Sequence, residues 1–298
     1  MDEKGDLAPH TSLAVTKHAV WQTDHNGFRT ENGNVVPEIV IIGDSTVVGN
    51  SLSQEETLAR VLSDRTGLKA YPYAPRSVND YLNDDRFFSL RPKFVVISYI
   101  ERSLTGLKPV KTEPTKGSAG EVFLAKTVKR LPWLITLASY VDRSFDPNYP
   151  KYVYRLIMGQ IPNPLYTYAS GTMLFFQGPS ANAQISDQEL ERTAQTIKSY
   201  DKQFARMGAQ LIFMPVPNKE SVFYKLLPSA PKPDFLDRLT KRTRELGIDT
   251  IDLETPFRAK NENEGIAVYH TDDTHWNPAG VRIAVELLNS QMNQPVDK

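Results

Sequence analysis

Residues 38–45 read EIVIIGDS, and this stretch decides the fold of the chain. Its apolar, β-branched run predicts a strand that is buried on both faces of a sheet. Gly43 permits a sharp turn where the strand ends, and that turn places Ser45 at the carboxyl edge of the sheet. Open α/β sheets hold their ligands at this edge. Ser45 is therefore a candidate nucleophile, and it needs a neighbouring base to become reactive.

The composition is that of an ordinary globular protein, and it excludes several functional classes. The 298 residues include 35 Lys and Arg against 35 Asp and Glu, so the net charge is zero, and no long basic run predicts a nucleic-acid partner. Cysteine is absent, which excludes thiol nucleophiles, disulfide bonds and thiolate metal sites. We expect no metal ion and no organic cofactor.

Further strands alternate with helices along the chain. Strands are predicted at residues 69–73, 94–99, 210–214 and 250–253, and helix N-caps at Ser53, Ser186 and Asn277. Strand, helix and strand at this spacing indicate parallel βαβ units. The pattern predicts a three-layer α/β/α sandwich with a flavodoxin-like parallel sheet of about five strands.

The predicted domain organisation is one large domain preceded by a short segment. Residues 1–34 show no sustained period, so we expect a loosely structured N-terminal segment. Residues 35–298 form the main domain, with an insertion at about 107–185 that is rich in proline and aromatic residues. Aromatic side chains of the insertion either pack it onto the core or stack on sugar rings.

A candidate base lies near the far end of the chain, where residues 272–278 read DDTHWNP. His275 is predicted in the loop before the last helix, at the same carboxyl edge as Ser45. An imidazole base needs a carboxylate to fix its tautomer, and both Asp272 and Asp273 are candidates.

These residues allow two other interpretations. Ser45 could instead cap a helix or belong to a phosphate loop. His270, Asp272, Asp273 and His275 lie close enough in sequence to suggest a metal site. Side chains of consecutive loop residues rarely converge on one ion, so no metal is expected.

Three motifs carry a resemblance to a known family: GDS at residues 43–45, DTHWNP at 273–278, and PVPNKE at 215–220 followed by Tyr224. The chain resembles the SGNH (GDSL-type) hydrolase superfamily, and within it the branch of alginate O-acetyltransferases and related polysaccharide O-acetylation proteins. The resemblance covers about residues 35–105 and 186–290. The serine-first order is that of the general superfamily, whereas the alginate enzymes carry the Asp-His motif before the serine.

The chain departs from the superfamily at the groups that stabilise an oxyanion. The second block aligns with residues 73–77, which lack the usual glycine, and Arg102 stands where the third block has asparagine. We hypothesise that Arg102 donates to the oxyanion or binds substrate; the alternative is an ion pair with Glu101 or at the surface. The acetyltransferase spacing favours Asp273 as the acid, with Asp272 as the alternative.

The resemblance implies O-acyl transfer, specifically O-acetyl transfer, to a carbohydrate or cell-surface polysaccharide by a Ser45, His275 and Asp273 acyl-enzyme mechanism. A carbohydrate ester hydrolase is one alternative, and a non-catalytic polysaccharide-binding or assembly protein is another. The acyl donor could be delivered by a membrane acyltransferase partner. We expect an extracytoplasmic, periplasmic location, with a signal or membrane anchor absent from this sequence.

Overall fold

The computed structural model describes seven stretches of the chain. They are residues 2–7, 13–31, 36–87, 90–110, 167–176, 184–227 and 232–294. The described residues of 1–110 and 167–298 form one compact unit. Most of the predicted insertion lies outside the described residues, so its boundaries and role stay a prediction.

Nine strands and eight α-helices occur in the described residues. The strands are β1 (Asp2–Lys4), β2 (Thr16–His18), β3 (Ile39–Gly43), β4 (Ala70–Tyr73), β5 (Phe94–Ser98), β6 (Thr167–Ser170), β7 (Met173–Phe176), β8 (Gln210–Phe213) and β9 (Asp249–Thr250). The helices are α1 (Ser45–Val48), α2 (Leu58–Thr66), α3 (Val78–Leu82), α4 (Asp187–Arg206), α5 (Lys219–Val222), α6 (Phe235–Glu245), α7 (Glu254–Glu264) and α8 (Pro278–Met292). Three 3₁₀ turns are Gln54–Glu56, Glu101–Gly106 and Tyr224–Leu226.

Five of the strands form a parallel sheet in the order β4-β3-β5-β8-β9. Strand β3 lies near the centre, and all five of its residues are buried. Alternate residues face opposite cores: Ile39 and Ile41 belong to one hydrophobic cluster, and Val40 and Ile42 belong to another. The sheet is therefore covered on both faces, which confirms the predicted α/β/α architecture.

Each face is covered by its own set of helices. Helices α2, α7 and α8 contribute Leu58, Phe257 and Val281 to the first cluster, whereas α3, α4 and α6 contribute Tyr81, Ile197 and Leu239 to the second. None of the helices among the described residues is both long and apolar enough to cross a membrane.

Two predicted elements differ from the structure for local reasons. The last strand pairs only over Asp249–Thr250, because the Asp252 carboxylate accepts the N–H groups of Glu254 and Thr255 and so starts α7 early. The capping box at Ser53 is present, but it opens a 3₁₀ turn. Thr57 is extended (φ −65°, ψ 149°) and separates that turn from α2.

The N-terminal segment contains an antiparallel ladder in which β1 pairs with β2. Further along, Phe28 and Arg29 are buried. The Arg29 guanidinium donates to the carbonyls of Leu52, at 2.7 Å, and Gly49, just after α1. The segment thus contacts the part of the main domain that follows Ser45.

Candidate active site

Ser45 is the first residue of α1, directly after the turn that ends β3. A Cβ on Gly43 would lie 2.0 Å from the Ser98 carbonyl oxygen, so only glycine lets the two strand ends approach this closely. The Asp44 side chain fixes the turn, because one oxygen accepts the Thr46 N–H at 3.0 Å and the other accepts the Ile100 N–H at 2.8 Å. The turn is therefore held from both sides.

The structure brings His275 to Ser45. The His275 Nε2 atom lies 2.8 Å from the Ser45 Oγ atom, although 230 positions separate the two residues. The loop before α8 reaches α1 partly through Trp276, whose indole N–H donates to the Thr46 carbonyl at 3.2 Å. The Asn277 side chain caps α8 by accepting the N–H groups of Ala279 and Gly280, which fixes where the loop ends.

Asp273 lies on the other side of the imidazole. Its Oδ1 atom lies 2.5 Å from His275 Nδ1, and its Oδ2 atom accepts the Ser51 hydroxyl at 2.7 Å. Because the carboxylate accepts, the imidazole proton belongs on Nδ1, which leaves Nε2 free to accept from Ser45. The three side chains form a continuous hydroxyl–imidazole–carboxylate chain.

The pKa values of His275 and Asp273 are shifted in the directions that favour a charged imidazole beside an ionised carboxylate. Burial alone would lower the pKa of His275, but the hydrogen bond and negative charge of Asp273 outweigh it and raise the pKa above its ordinary 6.5. Burial alone would raise the pKa of Asp273, but the hydrogen bonds from His275 and Ser51 lower it well below the ordinary value. Asp273 is therefore ionised at neutral pH.

Asp272, the alternative acid, faces away from the imidazole. Its carboxylate is almost fully buried and accepts the N–H of Val15 at 2.7 Å, the N–H of Gly5 at 3.0 Å and the ammonium of Lys17 at 2.8 Å. Asp272 thus fastens the N-terminal segment to the main domain. Of the two adjacent aspartates, only Asp273 bonds to the imidazole, whereas the sequence left both as candidates.

Asp6 brings a second carboxylate close to the imidazole. Its Oδ2 atom lies 3.8 Å from His275 Nδ1, and its Oδ1 atom accepts the Thr274 N–H at 2.8 Å. The Asp6 N–H also donates to Asp273 Oδ2 at 3.3 Å. When ionised, Asp6 adds its negative charge to that of Asp273 in raising the pKa of His275, whereas burial and the charge of Asp273 raise the pKa of Asp6 itself.

Arg102 lies at the end of β5, beside the loop that carries His275. Its Nη2 atom is 3.4 Å from Thr274 Oγ1, its Nη1 atom is 3.5 Å from Asn218 Oδ1, and its guanidinium lies over the Phe176 ring at 5.8 Å. Among the described residues it forms no salt bridge, and the Glu101 carboxylate binds the Asn218 N–H and the Ser221 hydroxyl instead. The alternative Arg102–Glu101 ion pair is not formed.

The metal interpretation concerned four residues, and the structure groups only part of that set. Ligand atoms of Asp6, Asp273 and His275 lie within 4.8 Å of one another, whereas His270 and Asp272 are not members of this group. Asp273 and His275 already bond to each other through Oδ1 and Nδ1.

Sequence reasoning missed two residues of this site. Asp6 is separated from Asp273 by 267 positions, and no local pattern announces such a contact. Ser51 supports Asp273 from a left-handed backbone conformation (φ 64°), which is uncommon outside glycine. Its position just after the GDS turn is the one signal that could have pointed to it.

Comparison with known proteins gives one informative match. Residues 172–297 match a family described as the SGNH hydrolase-like domain of acetyltransferase AlgX. This range contains His275, Asp273 and the PVPNKE motif, but it does not contain Ser45 or Arg102. No curated protein sequence matches the chain at a significant level.

Solved structures that match this chain share little sequence with it, and the following three have TM-scores below 0.5. An acetyl xylan esterase is 12% identical, with 85% of this chain and 98% of that chain covered and a TM-score of 0.43. A variant of an acetyl-xylooligosaccharide esterase from Geobacillus is 12% identical, with 87% and 95% covered and a TM-score of 0.42. A GDSL-like lipase from Bacteroides thetaiotaomicron is 12% identical, with 85% of each chain covered and a TM-score of 0.39.

Identities of 12% with TM-scores below 0.5 do not indicate which reaction this protein performs. The class of enzyme is therefore inferred from the family match and from the geometry of the site. The match supports an acyl-related enzyme without fixing which reaction it performs. The matched range contains the DTHWNP and PVPNKE motifs, on which part of the resemblance rests, whereas the GDS motif lies outside it. Residues 172–297 thus match the SGNH hydrolase-like domain of acetyltransferase AlgX.

Proposed function

We propose that this protein transfers O-acyl groups, specifically O-acetyl groups, to hydroxyls of a carbohydrate through an acyl-enzyme on Ser45. One observation carries the proposal: the Ser45 Oγ atom lies 2.8 Å from His275 Nε2, and His275 Nδ1 lies 2.5 Å from Asp273 Oδ1. A serine hydroxyl becomes nucleophilic when an imidazole accepts its proton and a carboxylate stabilises the resulting cation.

In the first half-reaction, Ser45 Oγ bonds to the acyl carbonyl carbon while its proton moves to His275 Nε2. The carbonyl oxygen becomes negatively charged in the tetrahedral intermediate. When the intermediate collapses, the bond to the donor's oxygen breaks, and that oxygen leaves with the proton from Nε2. The products are the free donor alcohol and an ester on Ser45.

The negative oxygen of the intermediate needs hydrogen-bond donors. The Ser45 N–H at the start of α1 is one candidate, and the Arg102 guanidinium is the second. The side-chain contacts of Arg102 are 3.4 and 3.5 Å long and go to neutral oxygens of Thr274 and Asn218. A charged oxygen would attract the guanidinium more strongly than these neutral oxygens do.

In the second half-reaction, a sugar hydroxyl gives its proton to His275 Nε2 as its oxygen attacks the acyl carbon. Release of Ser45 Oγ, which takes the proton back, completes the transfer. If water replaces the sugar hydroxyl, the same steps make the protein a carbohydrate ester hydrolase. The acetyltransferase description of the matched family favours transfer.

The carbohydrate acceptor, the periplasmic location and a membrane acyltransferase that delivers the acyl group come from the family resemblance, and they are part of this proposal. No metal or organic cofactor enters any step.

The experiment measures acetyl release from a chromogenic acetate ester, with and without added acetyl-free polysaccharide, and follows acetylation of the polysaccharide by mass spectrometry. We expect Ser45-dependent release, with acetyl found on the polysaccharide and turnover abolished in Ser45→Ala. Release without acetylated product would favour the hydrolase. If the native protein shows no release and a serine-directed phosphonate fails to label Ser45, the proposal fails and a binding or assembly role takes its place.

A further inference from the structure

The PVPNKE motif at residues 215–220 has no role in the steps above, yet it contains a lysine that is fully buried. Lys219 begins α5, at the carboxyl end of β8. A buried ammonium is costly unless its protons are bonded. The three bonds that this ammonium makes therefore indicate what the residue does.

All three bonds go to main-chain carbonyls in the loop before α8. Lys219 Nζ donates to the carbonyls of His270 at 2.6 Å, Thr271 at 2.9 Å and Asp273 at 3.2 Å. An ammonium has three protons in a tetrahedral arrangement, so these contacts use its full capacity. Three carbonyl oxygens that face one point would repel one another without a cation between them.

The loop held in this way, residues 270–275, carries both Asp273 and His275. A hydrogen bond joins the two ends of this loop, because the His270 N–H donates to the His275 carbonyl at 3.2 Å. Lys219 fixes the interior of the loop, so the backbone that aims the Asp273 carboxylate at His275 depends on it.

The neighbours of Lys219 in the motif reach two other parts of the site. The Asn218 side chain accepts the Arg102 N–H at 3.3 Å. The buried Glu220 carboxylate accepts the Phe176 N–H at 2.6 Å, which places the ring over which Arg102 lies. The motif therefore connects the ends of β5, β7 and β8 with the loop.

From this geometry we propose that Lys219 is a positioning residue for the Asp273–His275 pair. It acts by holding the 270–275 loop through three carbonyl groups and does not contact the reacting atoms. The inference rests on the proposed function for its kinetic consequence, although its structural consequence can be measured separately. Burial lowers the pKa of Lys219 to about 8, so the ammonium form is present at neutral pH.

The test combines turnover with a spectroscopic measurement in Lys219→Met and Lys219→Gln. The proton on His275 Nδ1, bonded to a carboxylate at 2.5 Å, should give a low-field proton resonance, which is assigned by its loss in His275→Gln. We expect Lys219→Met to lose this resonance and to lower kcat on the order of 100-fold, because a small misplacement of a reacting group has this effect. KM should stay within about twofold of the native value, since substrate contacts are unchanged. Lys219→Gln, which keeps two donors, should be intermediate.

The matched control is Arg244→Met. Arg244 also donates to a main-chain carbonyl, that of Thr250, at 3.1 and 2.9 Å, but it lies on α6 and not at this site. We expect the control to keep the resonance and native turnover. Thermal unfolding is measured on every variant to separate loss of fold from loss of positioning.

The outcomes distinguish this inference from the proposed function. If the native protein shows the resonance but hydrolyses no acyl ester, the proposed function fails, and loss of the resonance in Lys219→Met still supports the positioning role. A folded Lys219→Met protein with native turnover and an intact resonance would overturn the inference. Failure of both Lys219 variants to fold would overturn it as well, because the lysine would then serve the fold as a whole.

Discussion

Two adjacent aspartates offer the sharpest test of the site, because both are buried and only one contacts the imidazole. The perturbations are Asp273→Asn and Asp272→Asn, which change the same chemistry at neighbouring positions. The pKa of each carboxyl is lowered: burial opposes ionisation in both, and hydrogen bonds from His275 to Asp273 and from Lys17 to Asp272 outweigh it. Both are therefore charged at neutral pH, and only geometry distinguishes them.

Asp273→Asn should disable the base. The amide can donate its N–H₂ toward Nδ1, which shifts the imidazole proton to Nε2 and removes the acceptor that Ser45 needs. Loss of the correct tautomer lowers kcat by about 10⁴-fold in comparable triads, or about 5 kcal/mol at 1.36 kcal/mol for each factor of ten.

Asp272→Asn should instead weaken the fold. It removes a charged partner of Lys17, whose side chain is only 13% exposed, and it weakens the bonds from the N–H groups of Gly5 and Val15. We expect a loss of about 2 kcal/mol in the free energy of unfolding. That corresponds to a fall of about 3 °C in Tm for a chain of 298 residues, since the entropy of unfolding is about 2.1 cal/mol/K per residue. Turnover should stay within about threefold of the native value.

The assay is steady-state hydrolysis of a chromogenic acetate ester, with thermal unfolding of each protein measured by circular dichroism. The reasoning is refuted if Asp272→Asn loses turnover as severely as Asp273→Asn while remaining folded at the assay temperature. It is equally refuted if Asp273→Asn keeps native turnover.

Three further predictions follow from the same geometry. Turnover should rise with pH through an inflection above pH 6.5, because a neutral imidazole is required and Asp273 raises the pKa of His275. Asp6→Asn should move that inflection to lower pH. A pH–rate profile that does not move would contradict the role given to Asp6. Arg102→Ala should lower kcat by about 10²–10³-fold if the guanidinium stabilises the oxyanion. Arg102→Lys should recover part of the loss, and Arg192→Ala, at an exposed position, should show none of it. Unchanged turnover in folded Arg102→Ala would contradict this role. Gly5→Ala should loosen the N-terminal segment, because its Cβ would lie 2.1 Å from the Asp272 carbonyl oxygen. Hydrogen exchange of residues 2–7 and 13–18 should speed up, whereas Gly106→Ala, whose Cβ meets nothing within 4 Å, should leave it unchanged.

The sequence predicted those parts of the fold that depend on local patterns of apolar and polar residues. The apolar run before Gly43 identified the buried strand β3, and alternating strands and helices identified the parallel sheet. Parallel strands place their carboxyl ends at one edge, so Ser45 and His275 could be expected close together before any coordinates were known. They lie 2.8 Å apart in the structure.

The choice between Asp272 and Asp273 could not be made from local pattern, because it depends on the backbone path of the 270–275 loop. Lys219 sets that path from 51 to 54 positions away, and periodicity carries no information about such a contact. The N-terminal segment showed no period and yet supplies Asp6, since its contacts are made through side chains and single N–H groups.

The position of the reacting pair in the topology has a consequence for biosynthesis. Ser45 follows the first strand of the five-stranded sheet, whereas His275 comes after the last strand and just before α8, which packs against α2. A nascent chain therefore displays its serine long before the ribosome has made the imidazole. Such a chain, or any fragment that ends before the last loop, lacks the base and should be inert toward esters. The proposed acyl transfer can begin only after the loop before α8 has been made and has docked beside α1.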